Sequence, residues 1–193
     1  MLPHWPHLPL RPLGLLEVLG LAALLAAAPT QAAQPHEHGV ARLDVAVDAG
    51  RVSIQLDTPL DNLLGFERAP RTDAEREKVA AVLTRLRAGE SLFRVDAAAG
   101  CTLAKVELVS ALLELELGKA GAVSQASIPA SDHADLSGVF EFHCKNGARA
   151  GFVEVGLFEA FPALKRIELQ VVTPKGQLKA VLRKPASRVA LMR

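Results

Sequence analysis

The sequence predicts an α+β domain, mainly an antiparallel β-sheet or sandwich with one well-defined helix, and two patterns carry that expectation. Segments that alternate apolar with polar side chains recur along the chain, separated by Gly, Pro or Asp/Ser clusters. One stretch, about 73–88, repeats apolar residues at three- and four-residue spacing between a start and a stop signal.

Val40 to Val47 alternates, Asp48-Ala49-Gly50 supplies turn chemistry, and Arg51 to Asp57 alternates again, which predicts a hairpin. Pro59 ends the second strand. Asp61 to Pro70 reads as an irregular loop, yet Leu63, Leu64 and Phe66 are too apolar for a solvated linker and should fold back on the core. Thr72 with Glu75 three residues on matches a capping box, Val79, Val82, Leu83 and Leu86 form the apolar stripe, and Gly89 stops the run. Leu92 to Val95, Cys101 to Leu117, Val139 to Cys144, Arg166 to Thr173 and Gln177 to Leu182 read as strands, the last two joined by the turn Pro174-Lys175-Gly176. A short helical turn is expected near 157–162, with Phe158, Phe161 and Leu164 facing the core and Pro162 blocking extension. Small and polar residues dominate about 118–137, the composition of a mobile loop.

The first 32 residues have a different character. Leu13 to Ala28 is almost wholly apolar, and Thr30-Gln31-Ala32 places small residues three and one positions before a cut between Ala32 and Ala33. This is a signal-peptide pattern, and it implies export from the cytoplasm. The apolar run is about 16 residues against the roughly 20 that cross a bilayer. No second run of that length follows, so residues 33–193 are expected to form one domain without a membrane span. The formal net charge is +1, Tyr is absent and the seven Phe read as core, which leaves no basic, aromatic-studded surface for nucleic acid.

Cys101 and Cys144 are the only two cysteines, both in strand-like segments. In an oxidising compartment such a pair is expected to form a disulfide, worth about 3–4 kcal/mol in the chain-entropy model. Ligation of a metal by both thiolates is the alternative, though neither has a Cys or His at zinc-finger spacing.

The potential metal ligands are few. Removing the export segment leaves His36-Glu37-His38 within six residues of the new amino terminus, two imidazoles and a carboxylate that suit a borderline-soft ion. Asp132-His133-Ala134-Asp135 closes the mobile loop with three further donors. His143 alternates away from Phe140, Phe142 and Cys144 and is expected on the outer face of a strand beside Glu141. For each histidine the competing reading is a solvated or hydrogen-bonded side chain. Asp61 and Glu67 could be imagined as a catalytic carboxylate pair, but no nucleophile, phosphate loop or His-Glu-x-x-His accompanies them. Asp61 is expected to cap a turn and Glu67 to pair with Arg68 or Arg71. No enzyme is expected.

His36-Glu37-His38-Gly39 before an alternating strand, then Thr58-Pro59-Leu60-Asp61-Asn62-Leu63-Leu64-Gly65-Phe66-Glu67-Arg68-Ala69-Pro70, then an acidic residue before Val139-Phe140-Glu141-Phe142-His143-Cys144, resembles the ZrgA-like proteins. The resemblance runs from Pro35 to about Met192. It implies a periplasmic zinc-binding protein, Zn²⁺ as the bound ion, and an ABC-type zinc uptake system as partner. Members of that family carry a long His/Asp/Glu-rich tract before the Phe-x-Cys strand; here that loop holds only His133 with Asp132 and Asp135, which argues against a high-capacity zinc sponge. A reading from another class competes: a structural or protein-interaction module without physiological metal, whose Leu63-Leu64-Phe66 loop meets a partner.

Overall fold

Side-chain alternation builds the main sheet. The computed structural model describes residues 37–113 and 134–191. Val40–Val47 (β1) buries Ala41, Leu43, Val45 and Val47, and Arg51–Pro59 (β2) buries Val52, Ile54 and Leu56, so the hairpin presents one apolar face. Asp48 Oδ1 accepts from the Gly50 amide at 3.0 Å and fixes the turn between them. Asp61–Leu64 (α1) is a single helical turn, Asp73–Arg87 (α2) is the long helix, and Gly89–Leu92 (α3) is another single turn. Phe93–Val95 (β3), Cys101–Val109 (β4), Asp135–Cys144 (β5) and Phe152–Val155 (β6) follow. The chain then adds Leu157–Ala160 (α4), Arg166–Thr173 (β7), Gly176–Arg183 (β8) and Arg188–Ala190 (β9).

Six strands form a sheet in the order β4-β5-β2-β1-β7-β8, and three form a second in the order β3-β6-β9. Every pairing is antiparallel except β1 with β7. The class is the α+β architecture that the alternation predicts, with one parallel pair in a mixed sheet. One continuous core joins the inner face of the large sheet to Val79, Val82, Leu83 and Leu86 of α2 and to Phe93, Val153 and Val155 of the small sheet. Phe93 meets Phe140 edge-on at 4.8 Å between ring centroids. The outer face of the large sheet carries Arg42, Asp44, Gln55, Asp57, Glu141 and His143 instead.

The capping box forms as the sequence predicts: the Thr72 side chain accepts from the Glu75 amide and the Glu75 carboxylate accepts from the Thr72 amide. The helical turn near 157–162 is α4, with Leu157, Phe161 and Leu164 buried and Phe158 half-buried. Cys101 and Cys144 are direct cross-strand partners joined as a disulfide across a sequence separation of 43.

Several boundaries differ from the sequence expectation. The strand expected from Cys101 to Leu117 stops at Val109, and Ala111–Leu113 turns as a 3-10 helix that buries Leu113. Residues 114–133 lie outside the described residues. The loop expected to reach 137 ends before it, because Pro59 opposite Asp135, Thr58 opposite Leu136 and the Leu60 amide on Ala134 O continue the pairing with β2. Leu63 and Leu64 are buried in the domain's own core, so they offer no surface to a partner.

Among the described residues no helix is long and apolar enough to cross a membrane.

Candidate metal centre

The turn that precedes β1 is built to hold one side chain. Val40 N–H donates to Glu37 O at 3.1 Å, and Gly39 occupies the left-handed region at φ 83°. Lys165 and Arg166 both donate their amides to Gly39 O, at 2.7 and 3.0 Å, tying the turn to the start of β7. Buried Asn62 of α1 grips the same turn from the other side. It accepts from Gly39 N–H at 2.6 Å and donates to Val40 O at 2.8 Å and to Thr58 Oγ1 at 3.0 Å. Glu37 is drawn outward by Arg166, whose Nη2 lies 2.7 Å from its carboxylate.

His38 therefore projects from a fixed backbone towards α1 and the segment after it. Its Nε2 lies 2.9 Å from Glu67 Oε1, and its Nδ1 lies 3.8 Å from Asp61 Oδ2. The imidazole is 62% exposed, and the two carboxyl side chains are about one-third exposed. Asp61 is the first residue of α1, and Gly65, at φ 75°, closes that turn by donating to Asp61 O at 2.8 Å. The left-handed glycine reverses the chain and brings Glu67 back to His38.

Glu67 is free for this contact because Arg68 is engaged elsewhere. The Arg68 guanidinium reaches both oxygens of Glu75, at 2.6 and 3.0 Å, and stacks 5.0 Å from the Phe66 ring. That bidentate pair, with the amides of Arg71 and Thr72, lowers the Glu75 carboxyl to about 2. The expected Glu67–Arg68 pairing thus gives way to His38–Glu67 and Arg68–Glu75.

The other predicted ligands are placed apart or lie outside the described residues. His143 is exposed on β5 opposite Arg51, at the end of β2 that leads from the hairpin turn, whereas His38 precedes the far end of β1. The intervening length of strand is roughly 25 Å, so His143 and His38 do not share an ion. Asp135 sits in β5 opposite Pro59, at the same end of the sheet as His38, and lines a narrow cleft with Glu37, Arg42 and Asp57. His36, Asp132, His133 and the cleavage site Ala32/Ala33 fall outside the described residues. Among the described residues no group of three or more His, Cys, Asp or Glu is arranged to hold a metal ion. What the geometry offers is one imidazole with a carboxylate at each ring nitrogen.

Sequence reading missed Asn62, Asp61 and Glu67 as members of this centre. The available signal was the Leu60-to-Glu67 segment, whose two carboxylates and one carboxamide all converge on the His38 turn.

This is an α+β domain with a histidine–carboxylate cluster at one end of its main sheet. The model of the ZrgA family zinc uptake protein matches residues 35–191, and the chain belongs to that family. No curated protein matches it.

Proposed function

We propose that the protein is a non-catalytic periplasmic accessory that gathers Zn²⁺ and passes it to an ABC-type uptake system. The observation that carries this reading is the His38 imidazole held between Glu67 and Asp61 on a turn that Asn62 fixes, in a chain of a zinc uptake family. Imidazole nitrogen and carboxylate oxygen are ordinary zinc donors. Few protein donors leave coordination positions open, which suits an ion that must be released again rather than a closed structural site. His36, two residues before His38, is the imidazole best placed in sequence to add a donor, and His133 with Asp132 would add more from the loop. Two features support the periplasm: the signal-peptide pattern of residues 1–32 and the Cys101–Cys144 disulfide, which persists in an oxidising compartment.

Thermal melting with and without Zn²⁺ tests the reading. A ligand at 100 times its dissociation constant stabilises by about 2.7 kcal/mol, roughly 5–10 °C for a domain of this size. The protein should show a shift of that order, His38→Ala should lose most of it, and His143→Ala should keep it. A wild-type melting curve indifferent to Zn²⁺ would overturn the reading.

A further inference from the structure

Helix α2 carries a second stripe beside the apolar one that enters the core. Lys78, Ala81 and Arg85 recur at three- and four-residue spacing, so they share a face, and all three are exposed. That face lines a cleft of about 410 Å³, completed by α1 and by Ala160 to Ala163 after α4. The size falls within the roughly 300–1,000 Å³ of ligand-binding clefts.

Two cations meet this cleft without a carboxylate to neutralise them. Arg85 Nη1 donates to the Ala160 carbonyl at 2.6 Å, and the guanidinium stands 5.9 Å from the centroid of the Phe161 ring. Those contacts hold the group in place and use only one of its five N–H donors. Lys78 Nζ lies 3.8 Å from the point that a Cβ on Gly65 would occupy, and no hydrogen bond or ion pair joins it to a described residue. Arg76, on the same helix, is by contrast paired with Asp73. The surface between the two cations is apolar: Ala81 and Val82 separate them along α2, and Pro162 and Ala163 line the same cleft. Asp61 is the one acid among the lining residues, and it faces the His38 imidazole.

We infer that the cleft docks an extended acidic peptide segment of a partner protein, with two carboxylates three residues apart and apolar side chains between them. Lys78 and Arg85 are seven residues apart, roughly 10 Å along a helix axis. Three residues of extended chain cover about the same span. A single carboxylate reaches only one of the two cations, and the apolar strip between them matches the apolar side chains of such a segment. The inference goes beyond zinc gathering and involves no metal ion.

The test follows the amide resonances of the ¹⁵N-labelled protein during titration with the peptide Gly-Glu-Leu-Val-Glu-Gly, blocked at both ends. Residues 78–85 and 160–163 should shift saturably. Lys78→Glu and Arg85→Glu should each weaken binding about fivefold to tenfold, because each exchanges an attraction for a repulsion. Lys78→Arg should bind as wild type, and a peptide with Gln in place of both Glu should bind at least about fivefold more weakly. Lys78 has no partner to lose, so its variants should melt as the wild type does, which keeps the test open if Arg85→Glu fails to fold. His38→Ala should bind the peptide unchanged, which separates failure of this inference from failure of the zinc reading. Shifts confined to other surfaces, equal binding of the Glu and Gln peptides, wild-type affinity in Lys78→Glu, or no shift at millimolar peptide would overturn the inference. So would self-association of the protein that Lys78→Glu abolishes, which would assign the cleft to a second copy of this chain.

Discussion

Asn62 Oδ1 accepts the Gly39 amide proton at 2.6 Å, and this bond joins the helical turn carrying Asp61 to the backbone carrying His38. Because the Asn62 carboxamide also donates to Val40 O and Thr58 Oγ1, its three hydrogen bonds are fully internal. Removing it leaves the buried Gly39 amide and Val40 carbonyl without that partner. Asn62→Ala is expected to cost about 1–3 kcal/mol in denaturant unfolding of the metal-free protein. It should also weaken zinc binding, and only in a background that retains His38, so a double-mutant cycle with His38→Ala should show strong coupling.

Cys101 and Cys144 face each other across β4 and β5. Closing that loop restricts the unfolded chain, so replacing both cysteines by Ser is expected to lower unfolding free energy by about 3–4 kcal/mol. Zinc binding should survive, because the bridge lies at the His143 end of the sheet. A loss of zinc affinity as large as that of His38→Ala would count against the placement of the site.

Phe140 is fully buried, packs against Phe93, and fills the space into which a side chain at Gly89 would project, its Cδ1 only 2.7 Å from the position of an added Cβ. Phe140→Ala should destabilise by about 3–5 kcal/mol. Gly89→Ala must displace the same ring, and guanidinium unfolding should find it destabilising too.

Glu75 gives the acid limb of stability a definite origin. Its carboxyl is lowered from 4.5 to about 2, first by the Arg68 side chain and then by the Arg71 amide. A lowered folded-state value means that the contribution is fully present above pH 4.5 and fades as pH falls towards 2. Glu75→Gln should therefore melt below wild type at pH 7, and the two curves should converge near pH 2.

Asp44 works in the opposite sense. Burial first, then the neighbouring Asp57 charge, raise its carboxyl above the usual range, with Arg42 partly offsetting them. Its ionised form is disfavoured in the folded protein, so ionisation at neutral pH costs stability. Asp44→Asn should raise the melting temperature at pH 7, and the gain should vanish as pH falls below 3.8, the ordinary value for the group.

Most local signals in the sequence held, and among the contacts between distant segments the Cys101–Cys144 pair was legible. Alternation from Val40 to Asp57 specified the hairpin and its inner face, and Thr72 with Glu75 specified the start of α2, because both patterns are written within a few residues. The parallel pairing of β1 with β7 and the pairing of β3, expected as a strand from Leu92 to Val95, with β6 and β9 in a second sheet depend on contacts between distant segments, and β6 and β9 carry too little pattern to be seen. The histidine–carboxylate cluster divided in the same way. His38 was visible as part of a His-x-His pair, but its contact with Glu67 spans 29 residues and requires a left-handed Gly65 to bring the chain back. Asn62 looked like an ordinary loop residue, since nothing nearby in sequence announces that it is buried against Gly39.

Isothermal titration of Zn²⁺ into the protein and into His38→Ala, in a non-chelating buffer, tests the central claim most directly. The account predicts saturable binding at near-integer stoichiometry that His38→Ala loses or weakens at least about tenfold, as expected when an imidazole donor is removed. Equal binding by the two proteins, or no binding by either, would contradict it.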